Sequence, residues 1–405
     1  MTTDMASAST PAMEFGAGPL TERLVRQRVT PLFSRVLTAQ RGRIYLANHS
    51  LGRPLDAMAD DIREGSSAWY ARMGDAWDDW AAEMAAFRSR LAALAGAPRA
   101  DCIVPKTSAG QGLRAVLNTY ESPPRVVATR GEFDSLDVIL REYARRGRIS
   151  LTFVESDAEG LFAAQDMLRA IESGADLVVV SQVMFQTGQV MPELPRIVAA
   201  AHARSARVLV DVYHSLGVFP VDLAALDADF AVGGSYKYLR GGPGACFLYV
   251  APRHLDTRLG TLDTGWFAKE APFGYARPDP PRYAAGGDAW LESTPAVLPL
   301  YQARAGQRFT QAVGVERLRA YSLDLQRRLV SLLAERGVAA HGGTLDRGAF
   351  VALRDGAAPA LAAKLKARGI VTDARGEWLR LCPDVLTTEA EMLAAATALG
   401  EIVRR

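Results

Sequence analysis

The sequence predicts an α/β protein, with a large domain on a doubly wound, mixed but mostly parallel sheet and a smaller α+β unit beside it. From about Arg88 onward, short apolar runs alternate with helix-like segments, which is the pattern of βαβ units. The apolar runs are continuous in Val, Leu and Phe rather than alternating, as expected when helices cover both faces of the sheet. A chain of 405 residues also exceeds the usual size of one core, so two domains are expected, one assembled from both chain ends.

Taken in order, residues 1–20 are rich in Ser, Thr, Ala and Gly, and they read as a loose tail. They show no basic start followed by an apolar run, so no signal peptide is expected. A strand is expected over Cys102 to Val104, followed by Val126 to Ala128, Ser150 to Val154, Leu177 to Ser181, Val208 to Val212, Phe230 to Gly233 and Cys246 to Val250. Helical spacing runs over Gln165 to Ser173 and Leu194 to Ala203. Between Asp263 and Thr294 the rhythm breaks into irregular Gly, Pro, Trp and Phe, predicting a long ordered loop of the kind that usually has a function. One or two long helices follow over Val297 to Glu335, then strands near Ala349 to Leu353 and Trp378 to Leu381 and a closing helix from Thr388. The expected division is a tail over 1–20, a first part of the small domain over 21–65, a large domain over 66–295, and a linking helix with the rest of the small domain over 296–405.

Composition narrows the function. Forty-seven basic against 45 acidic residues leave a net charge of +2, too weak a field to argue for nucleic-acid or membrane binding, so a small molecule is the expected partner. No stretch approaches the length of uncharged apolar sequence that a membrane helix needs. Cys102, Cys246 and Cys382 are far apart and odd in number, which suggests neither a disulfide framework nor a zinc site and fits a reducing cytoplasm.

The chemistry concentrates in two segments. Asp211, in Asp211-Val212-Tyr213-His214-Ser215-Leu216-Gly217, falls where a strand ends, the place where open α/β sheets bind ligands, although an Asp there also caps turns. Downstream, Gly233-Gly234-Ser235-Tyr236-Lys237-Tyr238-Leu239-Arg240-Gly241-Gly242-Pro243-Gly244 sets a lysine between two tyrosines in a glycine-loaded reversal between buried strands. A lysine so placed suits a Schiff base with pyridoxal 5′-phosphate, and a carboxylate against the pyridine nitrogen makes the ring an electron sink. Asp211 is the candidate carboxylate.

These segments, together with Phe185-Gln186-Thr187-Gly188, resemble kynureninase and other class V aminotransferase-like proteins. The resemblance extends to Tyr45-Leu46-Ala47-Asn48-His49-Ser50-Leu51-Gly52, Gly265-Trp266-Phe267, Ser293-Thr294-Pro295 and Leu379-Arg380-Leu381-Cys382-Pro383. It implies the pyridoxal-phosphate fold type I, a homodimer with shared active sites and an amino-acid substrate.

Residue by residue, it implies Lys237 as the Schiff-base lysine, Asp211 on the pyridine nitrogen, His214 near the ring hydroxyl, and Tyr236 at the phosphate and as an acid. Thr107 and Ser108, opening a helix-like stretch, would bind the phosphate, or the two form an ordinary N-cap. Phe133 would stack on the ring with Asp134 as its polar neighbour. Trp266 and Thr294 would reach the phosphate of the neighbouring subunit. Arg380 would hold the substrate carboxylate through its guanidinium fork, with Asn48, His49, Ser50 and Ser293 on the substrate side.

Besides Gly131-Glu132-Phe133-Asp134-Ser135, which stands where kynureninases usually have Phe-Pro-Ser/Thr-Asp, two segments depart from the family pattern. Asn48-His49-Ser50-Leu51-Gly52 stands where Gly-Asn-Ser-Leu-Gly is usual, and Glu292-Ser293-Thr294-Pro295 where bacterial kynureninases tend to have Gly-Thr-Pro. The expected reaction is hydrolysis of the Cβ–Cγ bond of a kynurenine-type amino acid. The alternatives are transamination, C–S lysis or epimerisation of another amino acid, or a non-catalytic pyridoxal-binding protein. Persulfide chemistry is disfavoured because Lys366 to Leu379 contains no cysteine.

Overall fold

The computed structural model describes residues 15–404. Its strands among these are β1 (Ile44–Tyr45), β2 (Ile103–Lys106), β3 (Arg125–Thr129), β4 (Ser150–Val154), β5 (Leu177–Ser181), β6 (Arg207–Asp211), β7 (Phe230–Gly234), β8 (Cys246–Val250), β9 (Val351–Arg354), β10 (Ile370–Val371), β11 (Asp373–Arg375) and β12 (Trp378–Leu381). Seven of them form the large sheet in the order β2-β8-β7-β6-β5-β3-β4.

Neighbouring strands from β4 to β7 pair in parallel, while β8 runs antiparallel to both β7 and β2. The reversal has a simple cause. Only residues 235–245 link β7 to β8, and a parallel return needs a crossover of a dozen residues or more, usually a helix. The Val run of β5 is buried throughout, as a strand covered on both faces must be.

The second unit is a three-stranded antiparallel sheet, β11-β12-β9, whose core also includes helix Val315–Ala334, helix Ala358–Ala367 and the closing helix Glu389–Val403. Thr388 caps the closing helix in a capping box with Glu391. The expected helical stretch after the long loop is two helices, Leu298–Val313 and Val315–Ala334, broken at Gly314, which has a φ of 90°. The N-terminal segment joins this unit because β1 pairs in parallel with β10 and Ala47 bridges to Cys382.

The expected tail needs a correction. Phe15 and Leu20 are buried in a cluster with Phe33 and Phe309, so apolar packing fixes the chain from Phe15 onward. Residues 1–14 lie outside the described residues. Helix Met58–Arg72, which spans the expected boundary at residue 65, packs on helix Leu298–Val313. No helix of the described residues is long and apolar enough to cross a membrane.

Candidate active site

Lys237 sits in the reversal between β7 and β8. The turn is possible because Gly242 and Gly244 take φ values of 68° and 91°, which side chains resist. Gly52 lies against it, its N–H donating to the Tyr236 carbonyl at 2.8 Å, and a Cβ there would collide with the Lys237 carbonyl. The turn therefore needs the N-terminal segment beside it.

The Lys237 side chain is 4% exposed, with Nζ 2.6 Å from His214 Nε2 and 5.3 to 5.5 Å from the ring centroids of Phe133, Tyr213 and Tyr236. Burial lowers its pKa to about 7, helped by the charges of Arg380 and Arg375 and opposed by Asp211 and Asp373. An amine held near neutrality is a nucleophile at physiological pH.

Asp211 ends β6 and is buried, with Oδ1 accepting from the Tyr213 N–H at 2.8 Å. Burial raises its carboxyl to about 6, against that hydrogen bond and the Lys237 charge. His214 is buried too, and burial together with Lys237 and Arg380 holds it well below the usual imidazole range. Its other nitrogen, Nδ1, is 3.2 Å from the Tyr238 hydroxyl.

A cavity of about 210 Å³ adjoins these groups, lined by Thr107, Ser108, Phe133, Ser135, Tyr236 and Cys246 among others. Phe133 packs edge-on against Phe185 at 5.5 Å. Burial pushes the phenol of Tyr236 up. Asp134 is exposed at the head of helix Asp134–Arg145, outside this lining, and Ser135 stands at the cavity instead.

At one end of the cavity begins helix Ala109–Leu117. Ser108 is its N-cap, accepting from the Gln111 N–H at 3.1 Å, while the Thr107 N–H and hydroxyl donate to Gln111 Oε1 at 2.8 and 3.2 Å. The first N–H groups of a helix lack intrahelical partners, so they suit a phosphate.

A second cavity of about 280 Å³ shares Thr107 and Gly244 with the first and adds Lys106, Glu292, Ser293 and Thr294. Buried Lys106 donates to Glu292 at 2.6 Å. Trp266 donates from Nε1 to the Thr294 hydroxyl at 3.2 Å, and neither lines the Lys237 cavity within one chain. Ser293 and Thr294 are exposed.

Arg380, on β12, is buried and faces several elements at once. It donates to the Phe185 carbonyl, contacts Asp373 at 2.8 Å and lies over the rings of Phe185 and Phe350, while Nε has no partner. Asp373 in turn accepts from the Ser50 hydroxyl and pairs with Arg375 at 3.0 Å. Asn48 donates to the Cys382 carbonyl at 2.9 Å and leaves Oδ1 unpaired. His49 is wholly buried, 3.9 Å from Asp373, with neither ring nitrogen hydrogen-bonded. The pairing of β1 with β10 is what brings these N-terminal residues beside Arg380.

The structure adds residues that motif reading had missed. Asp373 couples Arg380 to Ser50, and Tyr238 backs His214. Glu132 is buried behind the site, accepting from Thr129 and Ser181 hydroxyls at 2.6 Å each. Tyr238 and Asp373 lie in the quoted motif or beside Arg380, but their partners come from distant segments. The donor set fits pyridoxal phosphate: a near-neutral buried amine, a strand-end carboxyl, aromatic rings around Nζ and a helix N-terminus all border or adjoin one cavity.

Comparison with known proteins agrees with this geometry. Residues 52–377 match the family Aminotransferase class-V. A kynureninase of Deinococcus radiodurans is 32% identical over 363 residues, covering 85% of this chain and 84% of that protein. A kynureninase of Pseudomonas fluorescens is 29% identical over 389 residues, covering 90% of each. Among solved structures, the cystine C–S lyase C-DES superposes with a TM-score of 0.80 at 20% identity, covering 90% of this chain and 99% of that one. A cysteine desulfurase from Thermococcus onnurineus gives 0.78 at 20%, covering 91% and 96%. At that identity these structures share the fold, which is pyridoxal-phosphate fold type I. The chain belongs to the Aminotransferase class-V family and is an enzyme whose cofactor is pyridoxal 5′-phosphate.

Proposed function

We propose that this enzyme hydrolyses the Cβ–Cγ bond of a kynurenine-type amino acid, releasing alanine and an acid. The observation that carries the reading is the buried, near-neutral Lys237 amine, on which the charges of Asp211 and Arg380 both act, in a chain 32% identical to a kynureninase. Bound there, pyridoxal phosphate supplies an electron sink for charge that develops on the substrate carbons.

Each other part falls to this chain's own residues. The first turn of helix Ala109–Leu117, with Thr107 and Ser108, binds the phosphate, displacing Gln111 from the Thr107 donors. Asp211 holds a proton at the pyridine nitrogen, and Phe133 packs on the ring. Arg380, kept in place by Asp373 and the Phe185 carbonyl, holds the substrate α-carboxylate, with Nε as its unpaired donor. Lys237 takes the α proton, and Tyr236 returns a proton to the departing carbon. Asn48, His49, Ser50 and Ser293 face the substrate side.

The chemistry of the structural neighbours does not carry over through the cysteines. All three are buried, and burial pushes the Cys102 and Cys246 thiols up to about 11 and Cys382 higher still, which disfavours a nucleophilic thiolate. Free buried thiols fit a reducing cytoplasm. The proposed assembly is a homodimer in which Trp266 and Thr294 serve the partner's phosphate, with large and small domains over 66–295 and over 21–65 with 296–405. Mixing Lys237→Ala with Trp266→Ala protein should then restore some activity in the hybrid.

The purified enzyme should be yellow, and Lys237→Ala should lose both the colour and turnover. Alanine released from kynurenine or hydroxykynurenine supports the reading. Pyruvate with ammonia, or a keto acid formed only with an amino acceptor, would replace it with elimination or transamination, and racemised substrate with epimerisation. A pyridoxal protein with no turnover on any amino acid would be a binding protein only.

A further inference from the structure

Behind the catalytic lysine runs a line of contacts that leads away from the cofactor cavity. Lys237 Nζ meets His214 Nε2 at 2.6 Å, and His214 Nδ1 meets the Tyr238 hydroxyl at 3.2 Å. All three side chains are buried. Tyr238 also lines a separate small cavity of about 40 Å³, with Arg240, Tyr321, Ser322, Cys382 and Asp384. That volume exceeds the roughly 10–15 Å³ a water needs. Asp384 pairs there with Arg240 at 3.3 Å, placing polar groups in a mostly apolar wall, and Tyr321 and Ser322, which also line it, are half-buried.

We propose that Tyr238 and His214 form a proton relay between Lys237 and water in this second cavity, on the side away from the substrate. The tautomer follows from the contacts. An ammonium only donates, so His214 Nε2 accepts from it, and the neutral ring then carries its proton on Nδ1 and donates to the Tyr238 oxygen. When Lys237 sheds a proton, Nζ–H passes it to Nε2, the Nδ1 proton moves to the tyrosine oxygen, and the tyrosine O–H proton passes to water. No oxidation state changes, and the lysine is left as a neutral amine. A proton returning to Lys237 runs the same three transfers backward and restores the original tautomer. His214 suits this because burial, Lys237, Arg380 and His49 all disfavour its cation, so it passes a proton without keeping one. Tyr238 touches neither substrate nor cofactor and acts through His214.

The inference rests on Lys237 as the cofactor's anchor and is tested before any turnover. Covalent capture of added pyridoxal phosphate by the cofactor-free chain forms a C=N bond, releases water and requires a neutral Nζ, while the incoming cofactor fills the main cavity. Below pH about 7 the amine must first lose a proton. The charged and titratable groups that set this pH are Asp211 and Asp373, which favour the ammonium, and Arg380 and Arg375, which oppose it, with His214 in contact. All of them stay in place in the variants.

Stopped-flow absorbance should show Tyr238→Phe capturing pyridoxal phosphate at least about tenfold more slowly than wild type at pH 6 and equally fast at pH 8.5. Ser322→Leu, which fills the outer cavity and leaves the Lys237, His214 and Tyr238 side chains unaltered, should give the same profile. A loss of packing would slow capture at both pH values. Equal rates for wild type and both variants at pH 6, or slowing that persists at pH 8.5, overturn the relay. Failure of wild type itself to capture the cofactor would instead overturn the assignment of Lys237.

Discussion

Two buried aspartates at opposite ends of neighbouring parallel strands have opposite characters. Asp211 ends β6 on the side of the proposed cofactor cavity, and Asp229 precedes β7 at the other end of the strands. They are about equally buried, at 5% and 3% exposure. Asp229 accepts from His202 at 2.9 Å, from His254 at 2.7 Å, from two nitrogens of Arg253 and from the Val208 N–H at 2.7 Å. Those donors hold its carboxyl well below the usual range despite burial. Asp211 has one backbone N–H and a lysine charge, and burial wins, raising it to about 6. Several donors with a paired arginine among them outweigh burial at Asp229, and one donor with a more distant lysine charge does not at Asp211. Asp229 ties helices Leu194–His202 and Pro252–Asp256 to the sheet, whereas Asp211 keeps acceptor capacity for a ligand.

The sharpest break of this contrast is Asp229→Asn. It leaves Arg253 and two histidines facing an amide, so stability should fall by about 3–5 kcal/mol in urea unfolding, with activity per folded molecule unchanged. The pH dependence follows from the depressed carboxyl. Its contribution is present above the unfolded value of about 4 and is lost as pH falls below it, so wild type and variant should converge in acid. Curves that stay parallel to pH 3 would show that Asp229 contributes as shape rather than charge.

Asp211→Asn should behave in reverse. A raised carboxyl opposes folding most above its folded pKa, and the penalty shrinks as pH falls from about 6 and vanishes below about 4, where the group becomes protonated in both states. Relative to wild type, the variant should therefore gain on the order of 3 kcal/mol as pH rises from 3 to 7. Activity should fall at least a hundredfold, about 2.7 kcal/mol on the barrier, with much of the cofactor retained. A variant with wild-type rates would make Asp211 structural.

The sequence made one of these aspartates legible and hid the other. Asp211 ends a Val run and precedes the lysine turn, so pattern and motif both mark it. Asp229 follows no motif, and its donors come from two helices on either side in sequence whose docking only the fold reveals. Strands β4, β5, β8 and β12 match the expected runs because continuous apolar residues bounded by turns leave little choice. Expected Cys102 to Val104 shifts to Ile103–Lys106, since the 3₁₀ turn Ala100–Cys102 takes the first residue and pairing with β8 carries the strand through Pro105. Asp134 is the expected polar neighbour of Phe133, but the helix beginning there turns it outward and Ser135 toward the cavity. The coupling of Arg380 to Ser50 through Asp373 spans the chain ends and depends on β1 joining β10, two residues long and invisible to periodicity.

The smallest expected effect comes from a third buried carboxyl, which lies between the two extremes. Glu132 accepts from the Thr129 hydroxyl and from the Ser181 hydroxyl and N–H, yet burial and the nearby Asp211 still push it up to about 7. It has more donors than Asp211 but no cation, unlike Asp229. If donor count without a cation is insufficient to keep a buried carboxylate charged, Glu132 is a neutral acid below pH 7, and Glu132→Gln is nearly isosteric with that form. Stability should then change by less than about 1 kcal/mol at pH 4, where the group is protonated in both states. Between about pH 4.5, where the unfolded group ionises, and about pH 7, where the folded one does, the wild type loses stability, so the variant should become progressively the more stable of the two. Chemical denaturation of both proteins at pH 4, pH 6 and pH 8.5 measures this. A loss of several kcal/mol at pH 6 would mean that Glu132 is already an anion there, and that hydroxyl and backbone donors alone can do what Asp229 achieves with an arginine.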